Sequence, residues 1–433
     1  MPKPIKKELV SSVKGMHDLV GDDYAYVERI IKEVKRVGDY YGFAPIATPH
    51  LEKTELFERP LGAESDVVEK QMYSLRTKGG DRLTLRPEGT APIMRAYFEH
   101  GMGSMPQPVK VFYGGSFFRH ENPQAGRFRE FHQAGVEVIG DDDAINDALV
   151  IRILVSALQT LGLKEIMVNV NTIGDKTCRP AFRKELINYY RKHQERLCKD
   201  CKRRIKENPL RLLDCKEEVC VEISKHAPQM VDYVCEFCKK HFAEVLEYLD
   251  ESGIPYFLDS HLVRGFDYYG RTVFEIFPTD LGEGVVPQAI GGGGRYDDLA
   301  ELMGARKTPA VGGALGVERV ADILKKKGIK ARPETHPKIF LIQLGPAAKK
   351  KSLVLLEEMR KIGVPVMQTL AKDSLRAQLA IVSKLQIPIA LIVGQKEALD
   401  GTVALRNMET GVQETLPTEK FIGTIKARLK EFS

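Results

Sequence analysis

Two rhythms run through the apolar positions of this chain, and each predicts a kind of element. Val27, Ile30, Ile31, Val34, Val37 and Tyr41 recur at steps of mostly three and four, which predicts a helix from about Asp23 to Tyr41, closed by Gly42 and Pro45. From Phe112 to Val138 the rhythm changes. Apolar residues open and close this segment, and Asn122, Pro123 and Gly126 break its charged middle, so it reads as a β-hairpin. A shorter hairpin, QMYSL and DRLTLR around Lys78-Gly79-Gly80, leads into Arg86-Pro87-Glu88-Gly89-Thr90 and a helix. A helix over about Asp143–Leu161 and a strand over Ile166–Asn171 follow.

Residues from about 173 to 256 read as mostly helical and charged, and as an insertion, because strands resume directly after them. HLVRGFDYYGRTVFEIF alternates into a strand, and Gln288-Ala289-Ile290 reaches the run Gly291–Gly294. Those glycines suggest backbone close to a ligand, or a tight turn. Arg295–Met303 reads as a helix, Pro309–Leu315 as a small-residue strand and Gly316–Lys327 as a helix. This body, residues 1–330, predicts a mostly antiparallel sheet with helices, so the fold class is α+β. Residues 334–433 form a separate unit. KIFLIQL, Ala347–Ile362, VPVMQTL, Ser374–Leu385, PIALIVG, TVALRN, VQETL and a last helix from Thr418 alternate strand and helix. A small, mostly parallel α/β sheet is expected there.

Composition narrows the class. The chain is 43% hydrophobic and 29% charged, ordinary for a globular protein with a sizeable core. No run approaches the ~18 apolar residues of a membrane span, and MPKPIKKELV lacks the apolar stretch of a secretory signal, so no membrane partner and a cytoplasmic location are expected. The net charge of +6 is unevenly spread: residues 334–433 hold 15 Lys+Arg against 10 Asp+Glu. A second basic run, Arg191 to Lys206, interrupts an otherwise balanced body. Two basic surfaces suit an extended polyanion touched at two places. Seven cysteines fall between 178 and 238. Cys198/Cys201 and Cys235/Cys238 have the local spacing of a zinc ribbon, but 33 residues separate the pairs, so reduced thiols and no metal are the expectation.

Strand geometry gives the central hairpin its chemistry, since alternate side chains share a face. Arg119 and Glu121 lie on one face of the first strand; Arg127, Arg129, Phe131, Gln133 and Glu137 lie on one face of the second, with Phe128, Ala134, Val136 and Val138 opposite. If the two faces coincide, arginines, carboxylates and a ring meet as a nucleotide requires: guanidinium for phosphate, ring for base, carboxylate for an exocyclic amine. Arg264 and Arg319, in Arg-Gly-Phe-Asp-Tyr-Tyr and Gly-Val-Glu-Arg, could complete a triphosphate site. No P-loop pattern occurs, which excludes a Walker-type NTPase.

The order Arg-Pro-Glu-Gly-Thr, Phe-Arg-His-Glu with Gly-Arg-Phe-Arg-Glu-Phe-His-Gln, Arg-Gly-Phe-Asp-Tyr-Tyr, Gly-Gly-Arg-Tyr-Asp and Gly-Val-Glu-Arg resembles the class II aminoacyl-tRNA synthetases. Within that class it resembles the histidyl-tRNA synthetases of bacteria over essentially the whole chain. The resemblance implies a catalytic domain with a six-stranded antiparallel sheet, a helical insertion, and a C-terminal α/β anticodon-binding domain. Its dimerisation motif would fall around Val27–Pro49, implying a homodimer. It also implies the substrates L-histidine, ATP and tRNA(His), with Mg²⁺ bridging the outer phosphates. Arg119 would hold the α-phosphate and the substrate carboxylate, and Arg264 would flank the α-phosphorus from the other side. Glu121 would accept from the adenine amine, Phe131 would stack on the base, Arg319 would cover its other face and the γ-phosphate, and Arg127 would add a phosphate contact. Glu88, Thr90 and Gln133, with Gly89 between the first two, would take the amino group. Glu137 and Tyr269, with Tyr268 beside them, would read the imidazole, whose one N–H donor and one bare nitrogen suit a carboxylate and a phenol. Gln124 would reach the tRNA end. Two positions depart from the usual pattern: Phe266 where leucine is common, and Gly313 where an aromatic is common. Non-catalytic paralogues that regulate histidine biosynthesis usually lack the C-terminal domain and degrade the Arg-Gly-Phe-Asp-Tyr-Tyr run; both are intact here.

Overall fold

The computed structural model describes residues 10–62, 67–122, 126–280, 287–331 and 337–431, and the chain divides into two compact units, 1–332 and 333–433. The first unit opens with α1 (Asp22–Tyr40), β1 (Ala44–Pro45), β2 (Leu51–Lys53), α2 (Glu55–Leu61), β3 (Tyr73–Arg76), β4 (Arg82–Leu85) and α3 (Thr90–Glu99). The central hairpin is β5 (Val109–Phe118) and β6 (Glu130–Ile139), followed by α4 (Ile145–Leu161) and β7 (Ile166–Thr172). Next come α5 (Arg179–Lys192), α6 (Lys199–Arg204), α7 (Glu218–Ser224), α8 (Glu236–Glu251) and β8 (Tyr256–Leu258). The unit closes with β9 (Gly270–Pro278), β10 (Gly291–Arg295), α9 (Leu299–Leu302), β11 (Ala310–Gly316) and α10 (Val317–Lys326).

Its main sheet has the order β1-β5-β6-β11-β10-β9-β7-β8. The six inner strands are antiparallel throughout, while β1 and β8 add to the two edges in parallel. The β5–β6 register pairs Phe117 with Phe131 and Gly115 with Gln133, so the odd-numbered faces of the two strands do coincide. Even positions Ala134, Val136 and Val138 point the other way, into a core filled by the apolar stripes of α1, α4, α8 and α10. That core includes Val34, Leu154, Val245 and Val320, all fully buried. Packing thus fixes one face of the sheet, while on the other Val111, Tyr113, Phe117 and Ile139 join a second core with Ile93, Met94 and Tyr97, beside which the site is built. Helix α8, inside the segment expected to be inserted, gives Phe242, Val245 and Leu249 to this core.

Two local expectations are corrected. Gly291–Gly294 is not a tight turn but most of β10, paired on both sides, and Gly291 and Gly292 border the cavity described below, in keeping with backbone close to a ligand. Glycine ordinarily weakens a strand, and periodicity is silent in a run without side chains. Arg295–Met303 is helical only over Leu299–Leu302, because Arg295 belongs to β10.

The second unit comprises β12 (Ile339–Gln343), α11 (Pro346–Lys361), β13 (Val366–Gln368), α12 (Leu375–Lys384), β14 (Ile389–Val393), α13 (Gln395–Asp400), β15 (Thr402–Asn407), β16 (Gln413–Pro417) and α14 (Thr418–Glu431). Its sheet, β13-β12-β14-β15-β16, is mixed rather than mostly parallel. β13, β12 and β14 run parallel through helical crossovers, whereas β15 and β16 are joined by a tight turn and must run antiparallel. Apolar clusters line both faces of this sheet.

Candidate functional site

The odd face of the β5–β6 hairpin floors a cavity of about 640 Å³, within the range of small-molecule sites. Glu88, Gly89, Thr90, Arg119, Glu121, Arg127, Phe131, Gln133, Arg264, Tyr268, Tyr269 and Arg319 all line it. Segments far apart in sequence therefore converge as expected. Gln124 lies outside the described residues. Arg129, on the same parity as Phe131, turns away and donates to the carbonyls of Glu121 and Lys14. The basic run Arg191–Lys206 does not line the cavity; Arg211 and Lys216, further along the same helical segment, do.

Each arginine is oriented by its surroundings. Arg119 Nε donates to the Pro87 carbonyl at 2.9 Å, and its guanidinium lies 5.1 Å from the Phe131 ring centroid and 5.4 Å from that of Phe266. The phenylalanine at 266 thus supplies one of two ring faces for the cation. Arg264 Nη1 donates to Glu275 at 2.7 Å while its buried Nε has no partner. Arg319 is held by the carbonyls of Ala289, at 2.7 Å, and Gly126, at 3.3 Å. Its neighbour Glu318 accepts from the His132 backbone N–H at 2.9 Å and sits 2.7 Å from the His132 ring nitrogen, tying the start of α10 to β6. Glu121 stands between Arg119, at 4.0 Å, and Arg127, at 3.8 Å.

The glycines of β10 and β11 accommodate these side chains. A Cβ on Gly292 would lie 2.8 Å from Arg264 Nη1, and one on Gly312 would collide with the Glu137 carboxylate. At Gly313 a Cβ would come within 2.7 Å of Phe274 and 3.1 Å of Leu154, so core packing occupies the space an aromatic would need.

Two buried carboxyl groups mark the far end. The Glu88 carboxylate caps α3, accepting the backbone N–H groups of Thr90 at 2.6 Å and Ala91 at 2.9 Å, with the Tyr268 hydroxyl at 3.4 Å. Burial raises its pKa against these bonds. Glu137, fully buried on β6, accepts from Thr90 Oγ1 at 3.0 Å and from the Tyr296 hydroxyl. Burial pushes its pKa up to about 8 in spite of those hydroxyls. Glu137 itself is not among the lining residues; it sits behind Thr90, which is.

Tyr113 and Tyr296 were not anticipated. Tyr113 lines the cavity on the parity of Arg119, and burial together with Glu137 raises its pKa well above the usual phenol value. Strand alternation, carried back from Arg119, could have found it. Tyr296 lay in plain view in Gly-Gly-Arg-Tyr-Asp, hidden by the helical reading of that segment.

With this geometry in hand, comparisons with known proteins are informative. A family profile described as histidyl-tRNA synthetase matches residues 15–320, and one described as anticodon binding domain matches residues 338–428. A histidine–tRNA ligase of Dehalococcoides mccartyi is 42% identical over 97% of this chain and 100% of its own length. One from Thermosipho melanesiensis is 42% identical over 98% and 100%. The apo histidyl-tRNA synthetase of S. aureus superposes with a TM-score of 0.79 at 30% identity, covering 96% of this chain and 99% of that one.

Proposed function

The chain belongs to the histidyl-tRNA synthetase family and is an ATP-dependent ligase that charges tRNA with histidine, and we propose that both chemical steps take place in the cavity between Glu88 and Arg319. The observation that carries this assignment is the convergence of Arg119, Arg264 and Arg319 from three distant segments on one cavity wall.

The carboxylate of histidine is ionised at neutral pH, so its attack on the α-phosphorus needs no general base. Two anions must instead be brought together and the charge growing on the phosphoryl oxygens stabilised, which fixed cations achieve by position and electrostatics. Arg119 and Arg264 take this role, Arg264 through the Nε that has no protein partner. Phe131 stacks on adenine, Glu121 accepts from its amine, Arg319 covers the opposite face and the γ-phosphate, and Arg127 adds a contact at the rim. Histidyl-adenylate and pyrophosphate result. The terminal ribose hydroxyl of the tRNA then attacks the histidyl carbonyl and releases AMP.

Mg²⁺ fits this wall in a limited way. Glu121 and Glu275 offer hard oxygen ligands, but both already face arginines, so the ion would be held largely through the outer phosphates and water, neutralising their charge.

At the amino-acid end, Glu88, Thr90 and Gln133 take the ammonium group, Gly89 lets the backbone approach, and Tyr268 and Tyr269 enclose the imidazole. Glu137 reads the ring once Thr90 yields its hydrogen bond. A carboxyl group with a pKa near 8 and an imidazole share one proton between them, so the buried pair keeps the same net charge whichever partner holds it. Amino acids lacking a ring nitrogen would strand this group, a basis for discrimination of ~10⁴ or more. The reading extends to a cytoplasmic homodimer, supported by the exposed Tyr40 within the expected pairing segment and Leu51 just after it.

Amino-acid-dependent ATP–pyrophosphate exchange tests the assignment. Histidine alone among the twenty should support exchange, and equal activity with another amino acid would refute it.

A further inference from the structure

All seven cysteines of the chain fall into two clusters that the reaction does not use. Cys198, Cys201, Cys215 and Cys220 form one; Asp175, Cys178, Cys235 and Cys238 form the other. In each, the four candidate ligand atoms lie within 4.8 Å of one another. Taken together as one ribbon, the two CxxC pairs are too far apart in sequence. The fold resolves this by giving each pair a different partner set.

We propose that the first unit holds two structural zinc ions, one in each cluster. Four thiolates at about 2.3 Å from a tetrahedral zinc stand about 3.8 Å from one another. The Cys198 and Cys215 sulfurs are 3.9 Å apart, near that spacing and far beyond a disulfide at about 2.05 Å. Backbone amides already point at the sulfurs: Cys201 N–H at Cys198 at 3.4 Å, Cys198 N–H at Cys220 at 3.3 Å, and Cys235 N–H at Cys178 at 3.0 Å. Such donors stabilise thiolate over thiol. In the second cluster Asp175 Oδ1 accepts the N–H groups of Thr177 at 2.8 Å and Cys178 at 3.1 Å, which fixes the carboxylate and leaves its other oxygen for the metal.

The surrounding architecture suits the ions. Between α5 and α8 the chain forms only α6 of six residues, α7 of seven, and single turns such as Gln194–Arg196 and Met230–Tyr233. Pieces this short are not stable by helix propensity; buried residues such as Leu197, Ile205, Leu212 and Ile223 hold them to the core, and an ion in each cluster adds a staple where the chain is least regular. A zinc ion with four thiolates also carries two negative charges. Lys199 and Lys202, which directly follow Cys198 and Cys201, put positive charge beside the cluster, whereas Arg203 is paired with Glu69 and Glu207.

The second site joins two roots of the segment, Cys178 just after β7 and Cys235 at the start of α8, which are 57 positions apart. Arg179, adjacent to Cys178, donates to the carbonyls of Ile173, at 3.1 Å, and Tyr269. This zinc therefore also steadies the tyrosine segment that encloses histidine, a consequence that rests on the reading of the cavity given above, whereas the metal content does not.

Elemental analysis of the full-length chain, purified under reducing conditions from zinc-replete cells, should give two zinc per chain. Titration with an organomercurial should release both. Cys201→Ser and Cys238→Ser should each retain one, and only Cys238→Ser should raise the KM for histidine, by about tenfold. If either variant fails to fold, growth on cobalt provides the second measurement: the wild-type chain should show the thiolate-to-cobalt charge-transfer and intense d–d bands of tetrahedral sulfur sites. Zinc below one per chain, iron with acid-labile sulfide, or disulfides joining these cysteines would overturn the proposal. A single zinc that survives Cys201→Ser and Cys238→Ser alike would overturn it too.

Discussion

The first unit uses arginine in two contrasting ways. Behind the sheet, Arg295 is fully buried and every donor it carries has an acceptor: Asp147 by Nε at 3.0 Å and by Nη2, Asp297 by Nη1 at 3.2 Å, and the carbonyls of Asp141 and Asp143. Arg271 closes the group by pairing with Asp297, so two cations meet two carboxylates. In the cavity Arg119 and Arg127 share Glu121 at 4.0 and 3.8 Å, Arg264 pairs with Glu275, and Arg319 has no ion-pair partner among the described residues, so at this end the close ion pairs do not match cation for carboxylate. Where charge is matched it serves the fold. Where it is left in surplus, in a pocket of ligand size, it serves an anion that arrives later.

The largest effects should come from breaking the matched group. Arg295→Leu leaves Asp147 buried with only His241 beside it and should cost about 3–5 kcal/mol, read as a lower urea midpoint. Burial alone would raise the Asp147 pKa, but Arg295 and His241 draw it down to about 2. Wild-type stability from this group is therefore present above the unfolded value of 3.8 and lost as pH falls towards about 2. The variant should lose most of that dependence, keeping only what His241 contributes. Next in size, Arg264→Ala should leave the urea midpoint nearly unchanged, because Glu275 is partly exposed, yet slow pyrophosphate exchange about 10²–10³-fold. Unaltered exchange in this variant would show that its cation is not spent on the α-phosphate.

Glu137 stands between the two cases, buried like Asp147 but with hydroxyls rather than cations around it. Its pKa of about 8 in the fold exceeds the unfolded 4.5, so between those values the unfolded chain has lost a proton that the native carboxyl keeps. Native stability should then fall as pH rises through this window, by on the order of a few kcal/mol, with no penalty below it. Glu137→Gln should flatten the profile and raise the KM for histidine. A wild-type profile already flat from pH 5 to 8 would mean that the carboxyl is ionised in the fold.

How far these roles were legible in sequence follows from the same physics. The hairpin parity that placed Arg119, Phe131 and Gln133 on one face is a property of local geometry, so it could be read from spacing. The role of Arg295 could not. Its partners Asp147 and Asp297 lie on α4 and just beyond β10, and only the packing of α4 under the sheet brings them together. The glycines of β10 carry no periodic signal, so a strand passed for a turn and Tyr296 was missed with it. The grouping of the cysteines was out of reach for a related reason, since a chain that folds back between the two CxxC pairs gives each a different set of neighbours. Glu137 was found by parity, but its depth behind Thr90 depends on side chains from three other segments.

The smallest effect should distinguish exposure from surplus. Arg127 faces the same carboxylate as Arg119 but is 55% exposed, so water and salt screen whatever it contributes. Arg127→Ala should raise the KM for ATP only severalfold, about 1 kcal/mol, and leave kcat alone. In wild type that KM should climb between low and physiological salt, and the variant should remove part of the slope. Arg319, by contrast, is held by two carbonyls inside the cavity, and replacing it should give a loss that salt barely alters. Should the two substitutions respond to ionic strength alike, the rim and the interior of the cavity would be electrostatically equivalent, and surplus charge alone, without burial, would account for phosphate binding.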